Sequence, residues 1–343
     1  MKKQIIYQVL PRLWKNGKFS DWKKASFDYV KSLSVDYIWY TGIIRHSSGR
    51  EWVKGNPGCP YSISDYYDVN PYLADNPSER MAEFDALVQR THSHALKVIL
   101  DFVPNHVSRD NVNFGREDDS SVHWKAENDF YYYPGQELSL PVDFVPANGF
   151  DAPYREYPAR ATGNNCFCAN PSVNDWFETV KLNYSAFHTP TWDKMLDILC
   201  FWAERGVDGF RCDMVELVPQ EFLTWIISEM KRRYPSLIFI AEVYGKDAYH
   251  SYLNNVGFDC LYDKSGLYDI LHAIVHHNVH EDHMPVELWC SAKRITGNWQ
   301  YLGDLQDGML NFLENHDELR LASDNFAVRA SNGFAALAVS LIF

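Results

Sequence analysis

The segment KVILDFVPNH, residues 97–106, is a short apolar run that ends in polar side chains. Its branched apolar residues are typical of a buried β-strand, and Asp101, Asn105 and His106 follow at the carboxyl end of that strand. Strands of a parallel sheet are buried on both faces, and barrels built from such strands place their functional side chains at this end. The segment therefore predicts one strand of a parallel sheet with a functional edge.

Seven runs of this kind recur along the 343-residue chain. They cover residues 5–10, 35–40, 97–103, 206–213, 237–243, 257–262 and 309–317. Amphipathic stretches such as residues 80–94 and 191–205 have apolar residues three to four positions apart and predict helices between the strands. This alternation of strands and helices predicts an α/β fold, a (β/α)8 TIM barrel.

The spacing of two strand ends predicts an inserted subdomain. Asp101 and Asp213 are 112 residues apart (213 − 101), whereas one βα step needs about 30 residues. We therefore expect a subdomain at residues 105–175, after the third strand, that interrupts a catalytic barrel formed by residues 1–104 and 176–343. Long insertions in barrels belong to the loops that build active sites, so this subdomain is expected to form one wall of the cleft.

The last segment, SNGFAALAVSLIF at residues 331–343, predicts a helix that no further strand follows. A barrel of seven strands would leave an open edge of unpaired backbone groups, which is a liability for stability and solubility. The expectation is that the eighth strand, and anything after it, is missing from this chain.

Composition and charge narrow the range of ligands. The formal net charge is −13, and 15% of the residues are aromatic. Affinity for nucleic acid comes largely from Lys and Arg, so this charge argues against a nucleic-acid partner. Aromatic rings provide flat apolar surfaces that suit the faces of sugars, and a neutral ligand is favoured.

The sequence contains no segment with the roughly 20 apolar residues that a membrane-spanning helix needs. The apolar run at residues 5–10 is interrupted by Gln8 and followed by Pro11, which argues against a signal peptide. A cytoplasmic location is the prediction, with a mature secreted chain as the alternative. The seven scattered cysteines are expected to be free thiols.

The segment GFRCDMVE, residues 209–216, places two charged side chains at the end of the fourth strand. Side chains alternate along a strand, so Arg211 and Asp213 should share one face. An adjacent guanidinium favours the ionised form of a carboxylate, and this is the form that a nucleophile requires. A purely structural ion pair is the alternative.

Two later segments add further carboxylates. In LIFIAEV, residues 237–243, Glu242 follows a buried strand, where burial favours the protonated form that can act as a general acid. In FLENHDE, residues 312–318, His316 and Asp317 end the seventh predicted strand, and the carboxylate could stabilise positive charge on a sugar ring. A metal site at this pair is a weaker alternative, since adjacent side chains diverge along a strand.

Together the four segments predict three carboxylates around one barrel mouth. Glycoside hydrolysis needs an acid and a second carboxylate beside the scissile bond, about 5–5.5 Å apart in the retaining mechanism. In this order, DFVPNH, GFRCDMVE, AEV and ENHD resemble the signature regions of the α-amylase family, glycoside hydrolase family 13. The stretches PYSISDYYDVNP at residues 60–71 and VKLNY at residues 180–184 extend the resemblance.

The resemblance implies a retaining hydrolase that cleaves α-glucosidic bonds, mainly α-1,4, in starch, maltodextrins or related α-glucans. It also implies an eighth strand and a C-terminal antiparallel β domain beyond Phe343, and both are expected to be missing from this chain. It implies that Asp213 is the nucleophile, Glu242 the general acid/base and Asp317 the residue that stabilises the distorted sugar. Family members also include transglycosylases, debranching enzymes and non-catalytic carbohydrate-binding or assembly proteins, and these remain alternatives. Glu216 and the VKLNY segment point to a neopullulanase-like or oligosaccharide-active subgroup.

The same resemblance implies substrate contacts for four further side chains. Arg211 would orient the nucleophile, His106 and His316 would hydrogen-bond hydroxyls of the sugar at the cleaved bond, and Tyr61 would stack beneath it. Many relatives bind calcium between the barrel and the inserted domain, and Asn105 matches one usual ligand. Leu217 stands where another ligand is typical and cannot coordinate a metal. The expectation is that no cofactor is required, with calcium at Asn105 left open.

Overall fold

The computed structural model describes residues 3–144, 146, 149–150, 153–277 and 285–342. The chain divides into two compact units, one that ends at Ile238 and one that begins at Phe239.

The described strands are β1 (Ile6–Val9), β2 (Tyr37–Tyr40), β3 (Ile44–His46), β4 (Ile63–Val69), β5 (Lys97–Phe102), β6 (His106–Ser108), β7 (Tyr132–Tyr133), β8 (Ala159–Arg160), β9 (Thr179–Lys181), β10 (Gly209–Cys212), β11 (Ile238–Ala241), β12 (Cys260–Tyr262) and β13 (Met309–Leu310). The described α-helices are α1 (Lys24–Ser32), α2 (Arg80–Ser93), α3 (Pro190–Glu204), α4 (Gln220–Arg233), α5 (Asp269–His276), α6 (Val286–Trp289), α7 (Lys293–Leu302) and α8 (Phe334–Ile342).

Shorter helical turns complete the described elements. The 3-10 helices are Pro11–Leu13, Phe19–Asp21, Pro71–Leu73, Pro77–Glu79, Val215–Leu217, Lys246–Ala248, Gly303–Gly308 and Ala330–Gly333. The π-helices are Ser251–Val256 and Lys264–Tyr268.

The first unit contains a parallel sheet in the order β1, β2, β5, β10. Ile6 pairs with Tyr37, Tyr37 with Lys97, and Ile99 with Gly209. Every residue of β2 and β10 is buried, as expected for strands that are covered on both faces. These four strands confirm the predictions at residues 5–10, 35–40, 97–103 and 206–213, and the sheet places all their carboxyl ends at one edge.

Two helices of this unit confirm the amphipathic stretches. Helix α2 covers 80–93 where 80–94 was predicted, and α3 covers 190–204 where 191–205 was predicted. Pro190 stands in the first turn of α3, where its missing amide hydrogen has no helical partner to lose. The buried face of α3 carries Trp192, Leu199 and Trp202, which anchor the helix through apolar burial.

The long connection between β5 and β10 contains two short antiparallel pairs, β6 with β9 and β7 with β8. His106 of β6 pairs with Lys181 of β9, so the first pair draws the two ends of the connection together. Tyr133, Leu138, Ala159, Ala161 and Ala169 form a small apolar cluster of their own within it. The predicted subdomain limits at residues 105 and 175 stay a prediction, and residues 145, 147–148 and 151–152 lie outside the described part.

The second unit contains the parallel strands β12 and β13 and all of β11 except its first residue, Ile238, with Ile240 paired to Cys260 and Leu261 to Met309. The remaining three predicted strands are thereby confirmed, but the last one is shorter than expected. A strand was predicted over residues 309–317, whereas β13 ends at Leu310.

Side-chain contacts with the backbone form a turn at residues 315–318, in the last part of the predicted strand. The side-chain oxygen of Asn315 accepts the backbone N–H groups of both Asp317 and Glu318, each at 2.8 Å. Such local hydrogen bonds compete with strand pairing and form turns instead. Further on, α8 confirms the helix predicted at residues 331–343 as far as Ile342, and Phe343 lies outside the described residues.

Within the described residues, no helix has the length and apolar character needed to cross a membrane. All seven cysteines are free, as predicted.

The inserted connection is stabilised by a buried carboxylate between two arginines. Oε1 of Glu156 lies 2.7 Å from Nη1 of Arg109, and Oε2 of Glu156 lies 2.8 Å from Nη2 of Arg160. Burial alone would raise the pKa of Glu156, but the two guanidinium groups outweigh it and hold the pKa at about 2. The charges of this cluster therefore contribute to stability at neutral pH.

We expect Glu156→Gln to reduce the free energy of unfolding at pH 7 by about 3 kcal/mol, because the pKa of Glu156 falls from 4.5 to about 2 on folding. A lowered pKa stabilises the fold above pH 4.5, and this contribution disappears as the pH falls towards 2. Urea unfolding from pH 3 to 7 should show the two proteins converging in acid. Glu137→Gln, which removes an exposed pair with Arg155 in the same connection, is the control and should change stability by less than about 0.5 kcal/mol.

Candidate active site

Arg211 and Asp213 lie together at the carboxyl end of β10. Nη1 of Arg211 donates to Oδ1 of Asp213 at 2.6 Å, and both side chains are buried, with exposed fractions of 0% and 5%. The contact confirms that the alternation of the strand puts them on one face. A charge-assisted hydrogen bond of this length favours the ionised carboxylate.

Asp101, at the end of β5, is a second carboxylate beside the same guanidinium. Its Oδ1 lies 3.9 Å from Nη1 of Arg211 and accepts hydrogen bonds from Nε1 of Trp39 at 3.2 Å and the hydroxyl of Tyr61 at 3.3 Å. Burial raises the pKa of Asp101 to about 6, although the charge of Arg211 acts in the opposite direction. The sequence places Asp101 at a strand end without indicating a role for it, although a carboxylate within an apolar strand is a usable signal.

Aromatic rings enclose the guanidinium of Arg211. The centroid of the Tyr61 ring lies 5.3 Å from Cζ of Arg211, and the centroid of the Trp39 ring lies 5.5 Å from it. Rings at this distance attract a cation and limit its rotation. Tyr61 thus reaches the Arg211 and Asp101 cluster as a half-buried ring, while its stacking on a sugar stays a prediction.

His106 begins β6 and is buried, with its ring 5.5 Å from the ring of Trp176. Burial and the nearby charge of Lys181 lower the pKa of His106 to about 3, so the imidazole is neutral near pH 7. Its Nδ1 lies 3.0 Å from Nδ2 of Asn105, which must be the donor. The ring also hydrogen-bonds the backbone of Tyr61, and its contact with a sugar hydroxyl stays a prediction.

The surroundings of Asn105 test the idea of calcium binding. Nδ2 of Asn105 donates to the carbonyl of Gly163 at 2.8 Å, and Oδ1 accepts a hydrogen bond from Nζ of Lys181. Nζ of Lys181 also donates to the carbonyl of Leu217 at 2.7 Å. The two oxygens that a metal ion would use are thus held by a lysine amine, and the described residues contain no cluster of three or more His, Cys, Asp or Glu that could bind a metal. The residues around Asn105 do not fit a calcium ion.

Glu242 belongs to the second unit and directly follows β11. Its side chain is buried, with an exposed fraction of 3%, which confirms the burial expected from the apolar strand before it. The hydroxyl of Tyr244 donates to Oε1 of Glu242 at 2.6 Å. The carboxyl group is therefore fixed in orientation by a neutral donor.

His316 and Asp317, also in the second unit, lie in the irregular segment after β13. Nε2 of His316 is 3.1 Å from Oδ2 of Asp317, so the expectation that these adjacent side chains diverge was wrong. The reason is that the strand ends at Leu310 and the turn around Asn315 rotates the neighbouring side chains towards each other. Asp317 remains 48% exposed, as a residue that meets a ligand can be.

Residues 23–340 match the family model of the alpha-amylase catalytic domain. The chain belongs to the alpha-amylase family. It is 30% identical over 221 residues to an alpha-glucosidase of Pediococcus pentosaceus, with 62% of this chain and 35% of that protein covered. It is 26% identical over 277 residues to an alpha-1,4-glucan:maltose-1-phosphate maltosyltransferase of Cereibacter sphaeroides, with 74% of this chain and 38% of that protein covered.

The crystal structure of an alpha-amylase from Lactobacillus plantarum superposes with a TM-score of 0.64 at 25% identity, covering 93% of this chain and 64% of that one. The alternating parallel strands and helices, together with this likeness, confirm a partial (β/α)8 barrel. The chain spans little more than a third of the two relatives by sequence and less than two thirds of the solved amylase.

Replacement of Asp101 should change how stability depends on pH. Because its pKa is raised from 3.8 to about 6, Asp101 favours the folded state most below pH 3.8, and this contribution is lost as the pH rises through 6. Relative to Asp101→Asn, the wild-type free energy of unfolding should fall by about 3 kcal/mol across that window.

Urea titrations at several pH values measure this difference. Glu156→Gln provides an internal control, because the lowered pKa of Glu156 gives a dependence of the opposite sign. Parallel curves for wild type and Asp101→Asn would contradict the assignment of a raised pKa to Asp101.

Proposed function

We propose that this chain carries the active site of a retaining glycoside hydrolase that cleaves α-glucosidic bonds, mainly α-1,4, in starch, maltodextrins or related α-glucans. The observation that carries the proposal is the buried 2.6 Å contact between Arg211 and Asp213 at the end of a barrel strand. This contact orients the carboxylate of Asp213 and favours its ionised form, in a member of the alpha-amylase family. The name of the alpha-glucosidase relative supports the same bond type.

In the proposed reaction, Asp213 attacks the anomeric carbon while Glu242 donates its proton to the leaving glycosidic oxygen. The sugar is then held as an ester of Asp213, and the leaving chain departs as an alcohol. Glu242, now a carboxylate, removes a proton from water, and the resulting hydroxide displaces Asp213 from the anomeric carbon. Each group returns to its initial state, with one bond hydrolysed and the anomeric configuration retained.

The other predicted residues would bind and stabilise the sugar. The half-exposed carboxylate of Asp317 would stabilise positive charge on the ring in the transition state, and its neighbour His316 would hydrogen-bond a hydroxyl. His106 would contact a second hydroxyl as a neutral imidazole. Tyr61, fixed by its bond to Asp101, would stack beneath the ring.

The charge of the chain supports a neutral substrate. With a net charge of −13, the protein repels polyanions such as nucleic acids, whereas an α-glucan carries no charge to be repelled. The proposal accordingly names an oligosaccharide or polysaccharide as the partner.

We expect Asp213→Asn and Glu242→Gln each to reduce hydrolysis of maltooligosaccharides by about 10²- to 10⁴-fold, since each removes a group that acts only in the chemical steps. Release of reducing ends measures the rate, and circular dichroism checks that the variants remain folded. Asp28→Asn, which removes an exposed carboxylate paired with Lys24, is the control and should retain full activity. Wild-type protein without glucan hydrolysis would contradict the proposal and favour a binding or assembly role.

A transglycosylase is the second candidate, because the ester of Asp213 can be discharged by a sugar hydroxyl as well as by water. The similarity to the maltosyltransferase over 74% of this chain favours testing it. With maltotriose as substrate, a hydrolase should release only glucose and maltose, whereas longer oligomers would show transfer. Parallel product analysis on pullulan and amylose separates debranching from α-1,4 cleavage.

A further inference from the structure

Lys181, the last residue of β9, is a buried amine that the proposed mechanism does not use. Its exposed fraction is 7%, and the described residues place no carboxylate in ion-pair contact with it. A charged side chain without a counter-ion is costly to bury, so such a lysine needs compensating hydrogen bonds. Burial lowers the pKa of Lys181 to about 7, so the amine is a charged ammonium below that pH, and this is the form that its two acceptor oxygens favour.

The two acceptors belong to segments that are far apart in sequence. Asn105 lies between β5 and β6, and Leu217 ends the 3-10 helix that follows the proposed nucleophile. Met214, the residue directly after Asp213, has a φ of 46°, which turns the chain sharply from β10 into that helix. Lys181 thus joins the loop after the nucleophile to the loop that holds Asn105.

The contact continues from Asn105 to His106. The side chain of Asn105 accepts a hydrogen bond from Lys181 through Oδ1. Through Nδ2 it donates to Nδ1 of His106 and to the carbonyl of Gly163. Space around His106 is limited, because a Cβ on Gly163 would lie 2.8 Å from Cβ of His106 and 2.6 Å from Oγ1 of Thr179. A change in the orientation of Asn105 would therefore move the imidazole of His106.

The amine of Lys181 binds oxygen atoms from two separate loops, as a metal ion bound between loops would. Calcium requires six to eight oxygen ligands, whereas an ammonium is satisfied by about three acceptors. The site offers an amide oxygen and a backbone carbonyl, and the side chain of Leu217 provides no ligand. Lys181 supplies a covalently attached cation in a place that cannot complete the coordination of a metal.

We propose that the amine of Lys181 takes the place of a metal ion in this chain, and that it acts as a positioning residue that sets His106 for binding the sugar at the cleaved bond. The positioning of His106 for a sugar rests on the proposed hydrolase function. The replacement of a metal does not, because it concerns the folded protein alone.

The metal replacement is tested on the wild-type protein by its thermal unfolding temperature. We expect no change in unfolding temperature or glucan hydrolysis after treatment with EDTA or on addition of millimolar calcium. A fall in unfolding temperature with EDTA that calcium reverses would overturn the proposal, whatever the substrate of the protein.

The positioning role is tested by Lys181→Met, which keeps most of the apolar stem and removes the amine. We expect kcat/KM for maltooligosaccharides to fall by about 10- to 100-fold, mostly through KM, because a displaced His106 loses contact with the bound sugar. Lys194→Met is the matched control: it breaks the 2.6 Å ion pair with buried Asp129 and should lower the unfolding temperature without raising KM.

Two further outcomes distinguish positioning from general destabilisation. If Lys181→Met does not fold, Lys181→Gln, which retains a neutral hydrogen-bond donor on a side chain one bond shorter, is expected to fold and to show an intermediate KM. A folded Lys181→Met or Lys181→Gln protein with the wild-type KM would overturn the positioning role. A wild-type protein that hydrolyses no glucan would refute the proposed function, and the EDTA result would still decide the metal replacement.

Discussion

The side chains of the candidate site in the first unit are arranged around one buried charge, the guanidinium of Arg211. It contacts Asp213 at 2.6 Å, lies 3.9 Å from Asp101, and is flanked by the rings of Trp39 and Tyr61. Two carboxylates so close together in a buried site would repel each other without this cation. Arg211 lies closer to Asp213 than to Asp101. The short contact favours the ionised form of Asp213, whereas burial raises the pKa of Asp101. One arginine can therefore support two carboxylates with different protonation behaviour.

The sequence predicted those features that follow from short-range patterns. Strand alternation placed Arg211 and Asp213 on one face, and apolar runs located all seven parallel strands. Contacts between distant segments could not be obtained in this way, since Asp101 meets Trp39 across 62 residues and Tyr61 across 40. The last strand was extended too far because apolar character continues to Leu313, whereas the backbone N–H groups of Asp317 and Glu318 donate to the side chain of Asn315 and form a turn.

Lys181 makes contacts that its local sequence does not indicate. Its segment VKLNY points to a subgroup of the family, yet nothing in these five residues indicates that the amine reaches Asn105 and Leu217. Once the structure shows those contacts, the apolar side chain of Leu217 and the missing metal ligands have a common explanation. In the proposed arrangement, a site held by an internal cation needs no metal ligands. Burial keeps His106 neutral, and the nearby charge of the same lysine lowers the pKa of that imidazole further, so the two residues are linked by electrostatics as well as by geometry.

The central claim is that Asp213, oriented by Arg211, forms a covalent bond with the sugar. Its most direct test is mass spectrometry of the Glu242→Gln variant after incubation with an α-glycosyl fluoride, whose good leaving group needs no acid for the first step. The account predicts that the ester accumulates and that proteolysis locates the added glycosyl mass on the peptide containing Asp213. Fluoride release without any adduct, or an adduct on a different carboxylate, would contradict it.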